Sequence, residues 1–219
     1  MSTLAILPIK SFDDAKQRLG PGFNPVLRRL LVQAMVSDVL VALRRANSVR
    51  GIVAVSSDDD AQRLAGAYGA TLLSDDGGGH NGAALKGIRH ALAHGYDRAL
   101  LVAGDCPALD PVELDQLLRR RPRERCAVVV PDRHGAGTNA LVLSPPDVLE
   151  PSFGPGSRER HVTSAASGGI ACDVVEVPSL ALDIDTPDDL EALRTMLAGT
   201  YGRAAHTRGI LRRFVESAR

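Results

Sequence analysis

Short apolar runs alternate with amphipathic segments along most of the chain, and this alternation predicts an α/β fold. The runs TLAILPI at 3–9 and RALLVAG at 98–104 are typical of strands that are buried on both faces of a parallel sheet. Between such runs lie longer segments with helical periodicity, and Asn24 followed by Pro25 is a typical helix start. We therefore predict an α/β domain with a mainly parallel mixed sheet and helices on both faces.

The same patterns place the remaining elements. We expect further strands at 51–57, 70–75, 125–131, 139–145 and 172–178, and helices at 25–45, 58–69, 80–95 and 157–167. Asp110, Pro111 and Glu113 predict a helix that begins with a capping box, and Thr186, Pro187 and Asp189 predict another helix start.

The last segment of the chain differs from the rest in being basic. We predict one α/β domain at 1–198 and an appended helical tail at 199–219. In this tail Ile210, Leu211, Phe214 and Val215 recur at helical spacing, which requires a partner surface. That partner is either the flank of the domain or a second subunit, and we favour a homodimer.

Composition excludes several functional classes. Lys plus Arg equals Asp plus Glu at 26 each and aromatic residues make up only 3%, so we expect neither nucleic acid nor a membrane surface as partner. The three cysteines are widely separated, which indicates neither a disulfide framework nor a zinc site. The N-terminal apolar run is too short for a signal peptide, and we expect a cytoplasmic protein.

Candidate chemistry lies where predicted strands end, because ligands of such sheets bind beyond the carboxyl ends of the strands. Lys10, Lys16 and Arg18 follow the first strand and could neutralise a triphosphate, although a solvated surface loop is an alternative. Asp105 follows RALLVAG, and Asp183 and Asp185 alternate before the last helix of the domain. Separated carboxylates of this kind could hold one or two Mg²⁺ ions on phosphates, although Asp185 could equally well only cap the helix.

Two loops rich in small residues complete this set. PDRHGAGTNALVL contains Thr138 between two strands, and FGPGSRERH contains Gly154 and places Ser157 at a helix N-terminus. Glycines let a backbone approach an anion closely, and hydroxyls add donors. Each loop alone is an ordinary turn, but together with the cations and carboxylates they indicate an anion-binding enzyme.

The ordered strings PIKSFDDAKQRL, VSSD, GDCP, PDRHGAGTNAL, FGPGSRERH and DIDTPDDL resemble the 2-phospho-L-lactate guanylyltransferase family of deazaflavin coenzyme (factor 420) biosynthesis. The resemblance covers roughly residues 3–197. It implies a nucleotidyltransferase-type Rossmann-like fold, GTP as donor, Mg²⁺ as cofactor, and 2-phospholactate, phosphoenolpyruvate or 3-phosphoglycerate as acceptor.

The resemblance also implies roles for individual residues. The catalytic phosphate-binding loop of the family matches Lys10, Lys16 and Arg18, and its metal ligands match Asp105, Asp183 and Asp185. Its acceptor-binding loops match Thr138, Gly154 and Ser157. The nucleotide is expected at Pro8, Ser56, Asp58 and Asn81. Cys106 stands where the family usually has leucine, so we expect a smaller wall beside the acceptor that favours 3-phosphoglycerate, with a harmless core cysteine as the alternative.

The expected reaction is attack by an acceptor phosphate oxygen on the α-phosphorus of GTP, which needs no dedicated general base. Alternatives are a nucleotidyltransferase with another base or acceptor, and a non-catalytic GTP-binding regulatory domain. The first loop lacks the glycines of cytidylyltransferases, and the retained lysines and aspartates argue against loss of catalysis.

Overall fold

The computed structural model describes residues 1–13, 16–20, 24–120, 125–199 and 202–217, without the side chains of 214–217. Its strands are β1 (Thr3–Pro8), β2 (Gly51–Ser56), β3 (Thr71–Ser74), β4 (Arg98–Val102), β5 (Cys126–Pro131), β6 (Thr138–Ser144) and β7 (Ala171–Val174). Its α-helices are α1 (Pro25–Arg45), α2 (Asp59–Ala67), α3 (Gly79–Ala93), α4 (Pro111–Arg119), α5 (Ser157–Ser167), α6 (Pro187–Leu197) and α7 (Ala205–Ser217).

The strands form one sheet in the order β3-β2-β1-β4-β6-β5-β7. β1 pairs in parallel with β2 and β4, β2 with β3, and β5 with β7, whereas β6 is antiparallel to both of its neighbours. The predicted mainly parallel mixed sheet is therefore confirmed.

Both faces of the sheet are covered, as the apolar runs predict. Along β1, Ala5 and Leu7 belong to the core on the face of α1, α2, α4 and α6, whereas Leu4 and Ile6 belong to the core under α3 and α5. Helix α3 lies so close to β1 that a Cβ on Gly87 would stand 2.3 Å from a methyl carbon of Ile6.

Local capping signals in the sequence predict most of these helix starts. The side chain of Asn24 accepts from the Leu27 amide at 2.9 Å, and at the predicted helix start of α6 Thr186 and Asp189 form a capping box. Asp110 caps α4, but the capping box predicted there is wrong, because Glu113 accepts from the backbone amide of Ser179 at 2.9 Å.

Helix α7 packs against α1 of the same chain. Asp38 of α1 accepts hydrogen bonds from the backbone amides of His206 at 3.0 Å and Thr207 at 2.8 Å, and Leu211 is buried. Leu211 is therefore covered by the flank of its own domain, and the expectation of a second subunit as its partner is wrong for this residue. The side chains of Phe214 and Val215 lie outside the described residues, and the homodimer and the boundary at residue 199 stay predictions. Within the described ranges no helix has the length and apolarity needed to span a bilayer.

Candidate active site

The sequence-predicted site residues gather at one edge of the sheet, where β1 and β4 end and β6 begins. Because β6 runs antiparallel to β4, with Val102 paired to Ala140, its first residues lie beside the end of β4. The amide of Ala103 donates to the carbonyl of Asn139 at 2.9 Å across this junction. The loop after β4 thereby places Asp105 next to residues from the start of β6.

Lys16 is the centre of a charged cluster at this edge. Its ammonium contacts Asp105 Oδ2 and lies 2.7 Å from Asp185 Oδ1, and its side chain is only 9% exposed. Arg18 Nη2, by contrast, is on a 75% exposed side chain and lies 2.6 Å from Asp185 Oδ2. Lys16 therefore meets carboxylates that are 89 and 169 positions away in the sequence, which a mere surface loop does not explain.

The backbone keeps these groups in place. Lys16 has a left-handed conformation, with φ 60° and ψ 36°, which costs energy in a residue other than glycine. The amide of Ile184 donates to the carbonyl of Asp105 at 3.1 Å, so the two acidic segments are tied together. Asp185 does not cap α6, because Thr186 is the N-cap.

The electrostatics reflect a crowded set of charges. Burial alone would lower the pKa of Lys16, but Asp105 and Asp185 more than offset it and raise that pKa above its usual value. Burial raises the pKa of Asp183, and the neighbouring charge of Asp105 raises it further. Asp183 Oδ1 also accepts from Asn139 Nδ2 at 3.2 Å. Three carboxylates, Asp105, Asp183 and Asp185, thus lie around the two cations Lys16 and Arg18, and an additional cation would offset the excess negative charge.

These carboxylates suit a hard divalent cation in their chemistry. Carboxylate oxygens are the ligands that Mg²⁺ prefers, and Asp105 and Asp185 already share one positive group in Lys16. No set of three or more His, Cys, Asp or Glu side chains in the described ranges has the spacing of a preformed metal centre. Assignment of Asp105, Asp183 and Asp185 as metal ligands therefore stays a prediction.

The predicted acceptor residues form a second, mainly buried polar cluster. Ser157 Oγ lies 3.1 Å from Thr138 Oγ1, which lies 3.1 Å from His161 Nδ1. Gly154, with φ 115°, turns the preceding loop, and its carbonyl accepts from the Ser157 amide at 3.0 Å. The structure thus brings together three of the four predicted acceptor residues, Thr138, Gly154 and Ser157, with a histidine behind them.

The predicted nucleotide residues have internal partners. The carboxylate of Asp58 accepts from the amide of Phe12 at 2.9 Å and from two amides that open α2. Ser56 is fully buried, and its hydroxyl accepts from the Asp58 amide at 3.1 Å. Pro8 is buried at the end of β1.

Asn81 likewise binds protein backbone. Its Oδ1 accepts from the Phe153 amide at 2.8 Å and its Nδ2 donates to the Phe153 carbonyl at 3.4 Å. Asn81 therefore anchors the loop that carries Gly154. A direct contact of Ser56, Asp58 or Asn81 with a nucleotide stays a prediction.

The expectation for Cys106 is wrong. Its side chain has no exposed surface, and its Sγ points to the carbonyl of Leu180 at 3.6 Å within the core. The chain turns inward after Asp105, so the thiol has no surface to offer an acceptor. Burial, with the nearby Asp105, raises the pKa of this thiol.

Three functional candidates were missed from the sequence. Asn139 donates to the Leu180 carbonyl at 2.8 Å and to Asp183, and so holds the acidic segment against β6. His80 packs edge to face on Phe153 at 4.9 Å, and burial and the charge of Lys10 lower its pKa. His161 is fully buried behind Thr138. Asn139 lies in PDRHGAGTNAL and His161 ends FGPGSRERH, so both belong to motifs of the sequence, whereas His80 belongs to neither.

Taken together, the fold and the site define a nucleotidyltransferase, in which cations and carboxylates lie on one side of a sheet edge and small hydroxyl residues on the other. The chain belongs to the family described as "Guanylyl transferase CofC like", whose match runs over residues 3–216. It is a nucleotidyl-transferring enzyme.

Relatives and solved structures agree with this assignment. The chain is 48% identical, over 219 residues, to a phosphoenolpyruvate guanylyltransferase of Conexibacter woesei, covering 99% of this chain and 98% of that protein. It is 32% identical to a 2-phospho-L-lactate guanylyltransferase of Methanothermobacter thermautotrophicus, covering 93% and 89%.

The structural likeness concerns the fold alone. A putative nucleotide-diphospho-sugar transferase from Desulfovibrio desulfuricans G20 aligns with a TM-score of 0.78 at 20% identity, covering 97% of this chain and 95% of that one. A 4-diphosphocytidyl-2C-methyl-D-erythritol synthase aligns with a TM-score of 0.62 at 16% identity, covering 90% and 99%. The predicted Rossmann-like nucleotidyltransferase fold is confirmed.

Proposed function

We propose that this enzyme transfers GMP from GTP to the phosphate of a three-carbon phospho-acid and releases pyrophosphate, as a step in the biosynthesis of a deazaflavin coenzyme in the cytoplasm. The observation that carries the proposal is the Lys16 cluster, in which one buried ammonium and two carboxylates converge at the edge of the sheet. The guanylyltransferase names of the relatives support guanine as the base.

In this proposal the cationic loop binds the triphosphate. Lys16 stays protonated throughout the neutral range, because its pKa is raised, and it offsets the charge that develops on the transferring phosphoryl group. Lys10 and Arg18, which are exposed at the same edge, hold the departing pyrophosphate. Their work is charge neutralisation and positioning, which are the main needs of phosphoryl transfer.

Asp105, Asp183 and Asp185 are the residues that would hold Mg²⁺. When bound, the ion supplies positive charge to the phosphate oxygens and fixes their orientation. The carboxylates themselves orient Lys16 by ion pairing. The nucleophile, an acceptor phosphate oxygen, is already anionic near neutral pH, so no side chain needs to remove a proton.

The acceptor occupies the side of Thr138, Gly154 and Ser157. We propose phosphoenolpyruvate as the first acceptor to test, since the relative at 48% identity is a phosphoenolpyruvate guanylyltransferase. The expectation that 3-phosphoglycerate is the favoured acceptor depends on a smaller wall at Cys106. Because Cys106 is buried in the core, that argument no longer favours 3-phosphoglycerate over 2-phospholactate.

The test is pyrophosphate release by the full chain with GTP, CTP, ATP or UTP, each combined with phosphoenolpyruvate, 2-phospholactate or 3-phosphoglycerate. We expect turnover with GTP and one or more of the acids, loss of turnover with EDTA, and a guanylylated product by mass spectrometry. Preference for CTP would favour the alternative of another base. Absence of turnover with GTP binding retained would favour a regulatory domain.

A further inference from the structure

A fully buried imidazole lies behind the proposed acceptor side. His161 of α5 has no exposed surface, and its two ring nitrogens bind two different parts of the fold. Nε2 lies 2.9 Å from the backbone nitrogen of Ser152, and Nδ1 lies 3.1 Å from Thr138 Oγ1. The ring also packs edge to face against Phe153, with centroids 5.3 Å apart. The ring therefore connects the loop before α5 with the first residue of β6.

The backbone contact determines the tautomer. A peptide N–H can only donate, so Nε2 of His161 must accept from Ser152 and carries no hydrogen. A neutral imidazole then carries its hydrogen on Nδ1, which donates to Thr138 Oγ1. Burial, with the nearby charge of Arg160, lowers the pKa of His161 to about 4, so the ring is neutral at working pH. The direction of this hydrogen bond is fixed.

The tautomer in turn determines what the hydroxyl pair can offer. Thr138 Oγ1 and Ser157 Oγ lie 3.1 Å apart and share one hydrogen bond, which uses one of their two hydrogens. Neither ring nitrogen of His161 can accept the second hydroxyl hydrogen, and no acceptor for this hydrogen is found among the described residues. The pair therefore presents one free O–H donor, whichever hydroxyl carries it. A donor without an acceptor suits an anionic oxygen.

We propose that His161 is a positioning residue that keeps the Thr138–Ser157 hydroxyl pair as a hydrogen-bond donor to an anionic oxygen, carboxylate or phosphate, of the acceptor substrate. This inference rests on the proposed transfer to a phospho-acid. It adds that acceptor binding depends on a residue that touches no substrate. Without the hydrogen bond from Nδ1 of His161, either hydroxyl can turn toward the position of the ring, so the free hydrogen is no longer held for the substrate oxygen.

Two amide substitutions test the roles of the two ring nitrogens of His161 separately. In His161→Asn, the side-chain amide nitrogen can take the place of Nδ1 and still donate to Thr138. The longer side chain in His161→Gln can take the place of Nε2, accept from Ser152 and leave Thr138 without its donor. Both variants lose the ring contact with Phe153, so each is the control for the other in packing.

We expect His161→Gln to raise the KM for phosphoenolpyruvate about tenfold or more, with the KM for GTP within threefold of wild type. His161→Asn should stay within about threefold for both substrates. In a Thr138→Val background, His161→Gln should have no further effect on the acceptor, since its target is gone. Equal effects of both His161 variants, or additive effects with Thr138→Val, would show a merely structural role and overturn the proposal.

Inhibition by methyl phosphate and by acrylate separates the two sources of the anionic oxygen. The probe whose inhibition constant rises in His161→Gln carries the group that the hydroxyl pair binds, and no change for either probe contradicts the proposal.

A readout on the wild-type protein keeps the proposal testable if the variants fail to fold. Nitrogen-15 NMR of the His161 ring should show a hydrogen on Nδ1 and none on Nε2 at pH 7, and the opposite tautomer or a charged ring would overturn it. This measurement needs no turnover. If wild type has the expected tautomer but does not guanylylate any of the three acids, the proposed function fails and not the geometry.

Discussion

The Lys16 cluster makes a prediction about stability that does not depend on catalysis. Lys16→Met keeps the length of the side chain and removes its charge, which increases the excess of negative charge around Asp105, Asp183 and Asp185. Methionine is a better probe than glycine, because glycine would also relieve the left-handed backbone at this position. We expect the variant to be less stable without Mg²⁺, and the difference to shrink when Mg²⁺ is added.

The magnitude follows from the exposure of the partners. Exposed ion pairs contribute about 0.2–1 kcal/mol, whereas breaking a buried pair costs about 3–5 kcal/mol. Here the lysine side chain is 9% exposed and the two carboxylates are 29% and 34% exposed, so the case is intermediate. We expect a loss of about 2 kcal/mol, which for a domain of this size lowers the Tm by about 4–8 °C.

The matched control is Lys86→Met, since Lys86 pairs with the largely exposed Asp76 at 2.6 Å. Its loss should be below about 0.5 kcal/mol and independent of Mg²⁺. Urea unfolding of both variants, with EDTA and with Mg²⁺, measures the two differences. If Lys16→Met were no less stable than Lys86→Met, or gained no more from Mg²⁺ than wild type, the reasoning about excess negative charge would be refuted.

Two further predictions concern activity and pH. Asp185→Asn should lower kcat/KM at least about a hundredfold, which corresponds to about 2.7 kcal/mol, with an unchanged circular dichroism spectrum. The control Asp76→Asn should leave the rate unchanged. Near-normal turnover of Asp185→Asn would contradict the role of this carboxylate. In the unfolded chain a histidine takes up a proton below pH 6.5, but folded His161 stays neutral to about pH 4, so stability should fall as the pH is lowered through this window. At 1.36 kcal/mol per pH unit the fall attributable to His161 is at most about 3 kcal/mol, and a His161→Gln variant with the same slope as wild type in urea titrations would disprove the assignment.

The parts of the fold that the sequence predicts well are those governed by neighbours in the chain. Asn24 caps α1 because its acceptor oxygen reaches an amide three residues on, and the core on both faces of β1 follows from the unbroken apolar run Leu4 to Pro8. The gathering of Lys16, Asp105 and Asp185 was predicted because strand ends of a parallel sheet meet at one edge.

The failures have a common physical cause, which is dependence on distant partners. Asp58 binds an amide 46 residues away and Asn81 binds Phe153, 72 residues away, so their role as anchors has no local signal. The inward direction of Cys106 depends on how the chain turns after Asp105. His161 gained its importance only when α5 brought it behind Thr138.

The reversed direction of β6 has a consequence for how this enzyme can diverge. The strands on one side of the β4–β6 pairing, β3, β2, β1 and β4, all run in one direction and carry the charged loop and Asp105, whereas β6 and β5 belong with the loops of the proposed acceptor side. Across this boundary the pairing is made by backbone hydrogen bonds, which tolerate changes of side chain in the loops. Substrate preference could therefore drift by mutation in 132–137 and 152–157 while the machinery for nucleotidyl transfer is inherited intact.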